Sequence, residues 1–79
     1  MTLQQLRYAL CVADCGSMNE AGKQLFISQP SLSETIKELE TEIGFDLFVR
    51  SNRGILVTPE GEEFLGYARQ VTEQFTLLT

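Results

Sequence analysis

The chain has 79 residues, of which 43% are hydrophobic and 22% charged, enough for one small folded core and too few for two domains around a deep cofactor cleft. Eleven acidic residues against six basic ones give a net charge of -5, a balance that taken alone points to a basic protein partner rather than a nucleic acid. Histidine is absent, which removes the commonest metal ligand and the usual proton carrier near neutral pH, so no metal, no cofactor and no enzymatic chemistry are expected. No apolar run approaches the roughly 18 residues of a membrane span, and Met1-Thr2-Leu3-Gln4-Gln5 lacks the basic-then-apolar layout of a secretory signal. A cytoplasmic protein without membrane attachment is the expectation.

Leu3, Leu6, Leu10 and Ala13 recur at helical spacing and Gly16 follows as a stop, predicting a first helix from about Thr2 to Cys15. Cys11 and Cys15 fall four apart on it. Two thiols without histidine make an incomplete zinc set, so they read as reduced, half-buried helix residues, with redox sensing as the alternative. Ser17 stands three residues before Glu20, the pattern of a reciprocal capping box, and opens a short second helix ending near Phe26. Its Ala21-Gly22 pair predicts close approach of another helix backbone, because glycine in a helix costs about 1 kcal/mol relative to alanine.

Ser28 is the next cap and Pro30 falls in the first turn, where a missing N–H breaks no intrahelical bond. Leu32, Ile36, Leu39 and Ile43 form one apolar seam along this third helix, leaving Pro30, Ser33, Glu34, Lys37 and Thr41 on the outward side. Gly44 closes it. Leu47 to Arg50 and Ile55 to Thr58 are β-rich runs around Ser51-Asn52-Arg53-Gly54, where Asn52 and Gly54 suit the positive φ of a tight hairpin turn. Thr58-Pro59 then restarts a helix with three acids in its first turns. Phe64, Ala68, Val71, Phe75 and Leu78 alternate four and three apart, the period of a coiled-coil seam. The expectation is a homodimer through this C-terminal helix, with a self-packed amphipathic helix as the alternative.

The fold class that follows is mostly α with a small β-hairpin: a winged helix-turn-helix over residues 1–58, with the helix-turn-helix at about 18–37 and the wing at about 47–58, and then a long linker and dimerisation helix over 59–79. Gln29, Ser31 and Ser33 place an amide and two hydroxyls at the start of the third helix, where a recognition helix meets base edges. Arg50 and Arg53 flank the hairpin turn, within reach of phosphates or the minor groove. Ser28 and Lys37, the cap and the only cation of that helix, complete the candidate double-stranded DNA-binding set. The rival is an acidic helical module that dimerises and binds proteins, which accounts for the charge but not for the Ser-Gln-Pro-Ser helix start or the wing arginines.

Leu6-Arg7-Tyr8, Gly16-Ser17, Ser28-Gln29-Pro30-Ser31-Leu32-Ser33, Ile36, Leu39-Glu40, Gly44, Leu47-Phe48 and Thr58-Pro59-Glu60-Gly61 resemble the N-terminal pattern of LysR-type transcriptional regulators over essentially the whole chain. The resemblance implies a sequence-specific DNA-binding regulator of transcription, bacterial and dimeric, on an inverted-repeat operator. It makes Met18 to Lys37 the helix-turn-helix, Gln29, Pro30, Ser31, Ser33 and Glu34 the groove-facing set, and Arg50 with Arg53 the wing contacts. It also implies a C-terminal domain for a small-molecule effector, expected to be absent from these 79 residues. The chain departs from the pattern at Ala9 and Met18, often aromatic in the family, at Gly22, often alanine, and at Glu34, where a basic or neutral polar residue is frequent. A less filled core is expected from the first three. Glu34 is either a base selector or a brake on affinity. Without residues 58–79, which carry four acids and one base, the net charge falls from -5 to -2, so the total says little about the binding face.

Overall fold

The computed structural model describes Met1–Thr79 and contains, in order, α1 (Leu3–Cys15), α2 (Met18–Leu25), α3 (Gln29–Ile43), β1 (Phe48–Ser51), β2 (Gly54–Val57) and α4 (Pro59–Leu78). This is the expected three helices, hairpin and long last helix. Polar caps fix the starts: Thr2, Ser17, Ser28 and Thr58 each accept a hydrogen bond from the backbone N–H three residues on, satisfying donors that a helix cannot satisfy itself. The reciprocal capping box lies elsewhere than expected. Glu20 does not reach back to Ser17 and sits 3.5 Å from Lys23 instead, whereas Gln5 Oε1 accepts from Thr2 N at 2.9 Å and closes the box on α1.

α2 and α3 are joined through Phe26, which adopts φ 59 and leaves its ring 93% exposed. Gly22 allows this turn. A Cβ there would stand 3.0 Å from Ile27 O and 3.8 Å from Gln29 N at the start of α3, so the close approach predicted from Ala21-Gly22 is tightest at the carbonyl of the turn and reaches the first residue of the next helix. For the same reason Gly22 is no defect of core filling. Ala9 and Met18 are buried.

The hairpin is antiparallel with Phe48 opposite Val57 and Ser51 opposite Gly54. Gly54, not Asn52, carries the positive φ, at 118. A Cβ on Gly54 would lie 2.6 Å from Gly16 O, and Ile55 N donates to that same oxygen at 3.1 Å, so the wing is seated on the α1–α2 corner. Leu32, Ile36 and Leu39 of α3 pack with Leu6, Ala9, Leu10 and Val12 of α1, Leu47, Phe48 and the inner side of α4 in one core. Ile43, the last member of the α3 seam, is only partly covered.

The predicted α4 seam divides. Gly61, Leu65, Ala68 and Thr72 are the buried residues of the helix; Gly61 lies against the Leu47 backbone, Leu65 and Ala68 join the core shared with α1, and Ala68 is 3% exposed within a single chain. Phe64 is half-buried, edge-on to Phe45 with ring centroids 6.1 Å apart. Val71, Phe75 and Leu78 remain exposed, together with Tyr67 and Leu77. Ala68 is therefore a core residue of its own chain and is corrected as a member of an intermolecular seam.

Candidate nucleic-acid interface

The outward face of α3 begins at its cap. Ser28 Oγ accepts from Ser31 N at 3.3 Å and donates to Ser31 Oγ at 2.9 Å, so the two hydroxyls are held together at the positive end of the helix. Ser28, Pro30, Ser31, Glu34 and Lys37 are exposed, and Gln29 and Ser33 are half-exposed. Sequence spacing placed all seven on one stretch of surface, and the burial of Leu32, Ile36 and Leu39 turns that stretch outward.

The wing adds its arginines from the side. Arg50, on β1, donates from Nη2 to Ser33 Oγ at 2.7 Å. It borders a cleft between α3 and the hairpin that Ser33 and Lys37 also line, and a second one shared with Ser17, Asn19, Gln29 and Ser51. Arg53 is exposed in the hairpin turn, whose shape is held by its own N–H donating to Ser51 Oγ at 3.2 Å. The structure thus joins Gln29, Ser33, Lys37 and Arg50 around one surface and leaves Arg53 at its tip.

Two residues that fasten the wing carried no such role in the sequence pattern, which marks Thr58 only as the cap of the last helix. Glu40 Oε2 accepts from Leu47 N at 2.7 Å and Phe48 N at 3.2 Å, tying the inner end of α3 to the start of β1. Thr58 Oγ1 donates to Asp46 O at 2.6 Å, and Thr58 N to Leu47 O at 2.9 Å, closing the far end of the hairpin. The Leu-Glu and Thr-Pro pairs were visible as motifs. Their partners are backbone atoms brought near by folding, which no side-chain pattern announces.

Charge is sorted by location. The ion pairs join Met1 to Glu42, Lys23 to Glu20 and Arg69 to Asp14, while Arg7 lies over the Phe75 ring at 5.5 Å. Asp14, through its hydrogen bond and its charge, raises the pKa of Arg69. Lys37, Arg50 and Arg53 have no carboxylate partner. Arg7 lacks one too, so three of the four cations without a carboxylate partner belong to α3 and the wing. Glu34 likewise has neither a cation nor a hydrogen-bond partner. The four acids of α4 belong to the helix on the other side of α1.

Residues 3–62 match the family model described as bacterial regulatory helix-turn-helix protein, lysR family. The chain is 41% identical over 73 residues to the HTH-type transcriptional regulator TcbR of Pseudomonas sp. (strain P51), spanning 92% of this chain and 25% of that protein. It is 44% identical over 69 residues to the uncharacterized HTH-type transcriptional regulator YnfL of Escherichia coli (strain K12), spanning 87% of this chain and 23% of that one. The chain therefore spans about a quarter of the length of these curated relatives. Among solved structures it is similar to the BenM DNA-binding domain in complex with catB site 1 DNA, with a TM-score of 0.94, 37% identity, and coverage of 99% of this chain and 88% of that one. The CbnR DNA-binding domain in complex with DNA gives 0.91 and 39%, covering 96% and 87%.

Proposed function

The chain belongs to the lysR family of bacterial regulatory helix-turn-helix proteins, and from that premise we propose that it is a sequence-specific DNA-binding module of a transcription regulator. Residues 1–58 form the winged helix-turn-helix and 59–79 the linker helix through which two copies pair. α3 enters the major groove with Gln29, Pro30, Ser31 and Ser33 toward base edges, while Arg50 and Arg53 meet the backbone or minor groove. One observation carries the reading: Lys37, Arg50 and Arg53, three of the four cations without carboxylate partners, belong to α3 and the wing, while the fourth, Arg7, lies over the Phe75 ring. A face meant for a basic protein partner would be dominated by acids, whereas this one sets three cations beside Glu34. The similar BenM and CbnR domains occur in complexes with DNA, which supports a DNA partner for this chain.

Binding to random and selected duplexes across a salt series tests the proposal. Affinity should fall steeply with salt, and Arg53→Ala should weaken binding to all duplexes alike and lower the logarithmic salt slope by about one for the lost phosphate contact. Salt-independent binding, or none, rules out the DNA module in favour of the protein-interaction one. An unchanged slope with altered sequence preference shows instead that Arg53 reads bases.

A further inference from the structure

Cys11 and Cys15 take no part in the proposed DNA-binding surface. Side chains four residues apart on a helix share a face, and these two free thiols, both half-buried, hold their sulfurs 3.9 Å apart. The amide oxygen of Gln24 on α2 faces Cys11 Sγ at 3.7 Å. A disulfide suits this pair poorly. It needs Cβ atoms about 3.5 to 4.5 Å apart, whereas helical residues at this spacing keep them at about 5 to 6 Å, so closing the bond requires α1 to unwind. A soft atom seated between the sulfurs makes no such demand. Two sulfurs about 2.3 Å from a shared centre, at the angle of about 100° of a pyramidal trivalent atom, stand about 3.5 Å apart, a span that the pair at 3.9 Å nearly meets.

We propose that Cys11 and Cys15 form a two-thiol receptor for a trivalent arsenical bearing one organic group. As its hydrate, RAs(OH)2, such a compound condenses with two thiols: two As–O bonds break, two As–S bonds form, and each thiol proton leaves with a hydroxide as water. The oxidation state of arsenic is unchanged and no co-reactant is needed. Because the organic group occupies the third valence, the protein need supply only two ligands, and no third cysteine or carboxylate is grouped with this pair. The balance consumes neutral thiols. Burial, then the hydrogen bond and charge of Cys15, and then Asp14 push the Cys11 thiol up to about 11, so it is protonated at neutral pH. A divalent cation has to strip both protons, whereas the condensation releases only water.

Phenylarsine oxide is the probe. One equivalent added to the folded, reduced 79-residue chain is expected to consume both titratable thiols, add one phenylarsenic group in the intact mass, and raise the thermal midpoint, because the ligand meets a preformed pair. The adduct should survive millimolar monothiol and yield to a 1,2-dithiol. Cys11→Ser and Cys15→Ser should each bind about a hundredfold more weakly, having lost one tethered ligand. Binding by the wild-type chain with and without urea keeps the test sharp if a variant folds poorly: the folded chain should bind more tightly. Equal or tighter binding by the unfolded chain overturns the proposal. So does release of the wild-type adduct by monothiol, or its retention by either serine variant under that treatment.

Discussion

Arg50 on the wing and Ser33 on α3 are joined by a 2.7 Å hydrogen bond from guanidinium to hydroxyl. The hairpin and the recognition helix therefore present their polar groups as one surface, and the two side chains should not act independently on DNA. Duplex affinities for wild type, Ser33→Ala, Arg50→Ala and the double variant form a complete cycle. The expected coupling is about 0.5 to 3 kcal/mol, the range for residues in contact; strictly additive losses mean that the bond does not matter to binding.

Ala68 and Val71 lie three residues apart on α4 yet differ sharply in burial. Ala68 is 3% exposed against its own chain and Val71 is 49% exposed. Val71→Glu should give monomers in sedimentation while leaving the thermal midpoint of the monomer fold nearly unchanged. Ala68→Glu puts an unpaired carboxylate in the core, which costs about 2 kcal/mol or more. At about 4 to 8 °C per kcal/mol for a domain of this size, the midpoint should fall by about 10 °C or more. Identical oligomer mass for wild type and Val71→Glu across micromolar concentrations removes Val71 from the seam.

Glu40 should matter to stability without touching DNA. Its carboxylate accepts from the N–H groups of Leu47 and Phe48, and Leu47 is fully buried. Glu40→Ala strands two donors at the wing's root, with an expected loss of about 1 to 3 kcal/mol. Glu40→Gln keeps an acceptor oxygen and should recover part of it. Urea midpoints for the three chains make the comparison. Equal midpoints for alanine and wild type mean that water replaces the carboxylate.

The helices were legible because their punctuation is local. Serine and threonine caps, Pro30 and Pro59 in first turns, and Gly16 and Gly44 at the left-handed ends are each decided by a few adjacent atoms. The end of α2 near Phe26 was legible too, but not its left-handed turn, since an aromatic residue carries no preference for φ 59; the Ile27 carbonyl lies over Gly22 there. The α4 seam misled for a related reason. The buried stripe is Gly61, Leu65, Ala68 and Thr72, and glycine and threonine hardly register as hydrophobic, so the stronger period of Phe64, Val71, Phe75 and Leu78 hid it. The outward side of α3 was legible because it is the complement of a strong seam.

Glu34 is exposed on that side, opposite the buried Leu32, Ile36 and Leu39, and no cation or hydrogen-bond donor in the chain engages it. Lys37, one turn on, is exposed and equally unpaired. A carboxylate in that position either accepts from a cytosine amino group or is repelled by phosphate in every complex. Selection of one base needs the helix held close by neighbouring cations, and α3 offers only Lys37. The expected outcome is the brake: Glu34→Gln should raise affinity for every operator variant in parallel, by a few-fold, on the order of 1 kcal/mol or less, as for a single exposed charge interaction. A panel of single-base operator substitutions measured for both proteins at one salt concentration decides the matter. A loss of discrimination of about 1 to 3 kcal/mol confined to one position makes Glu34 a base selector instead.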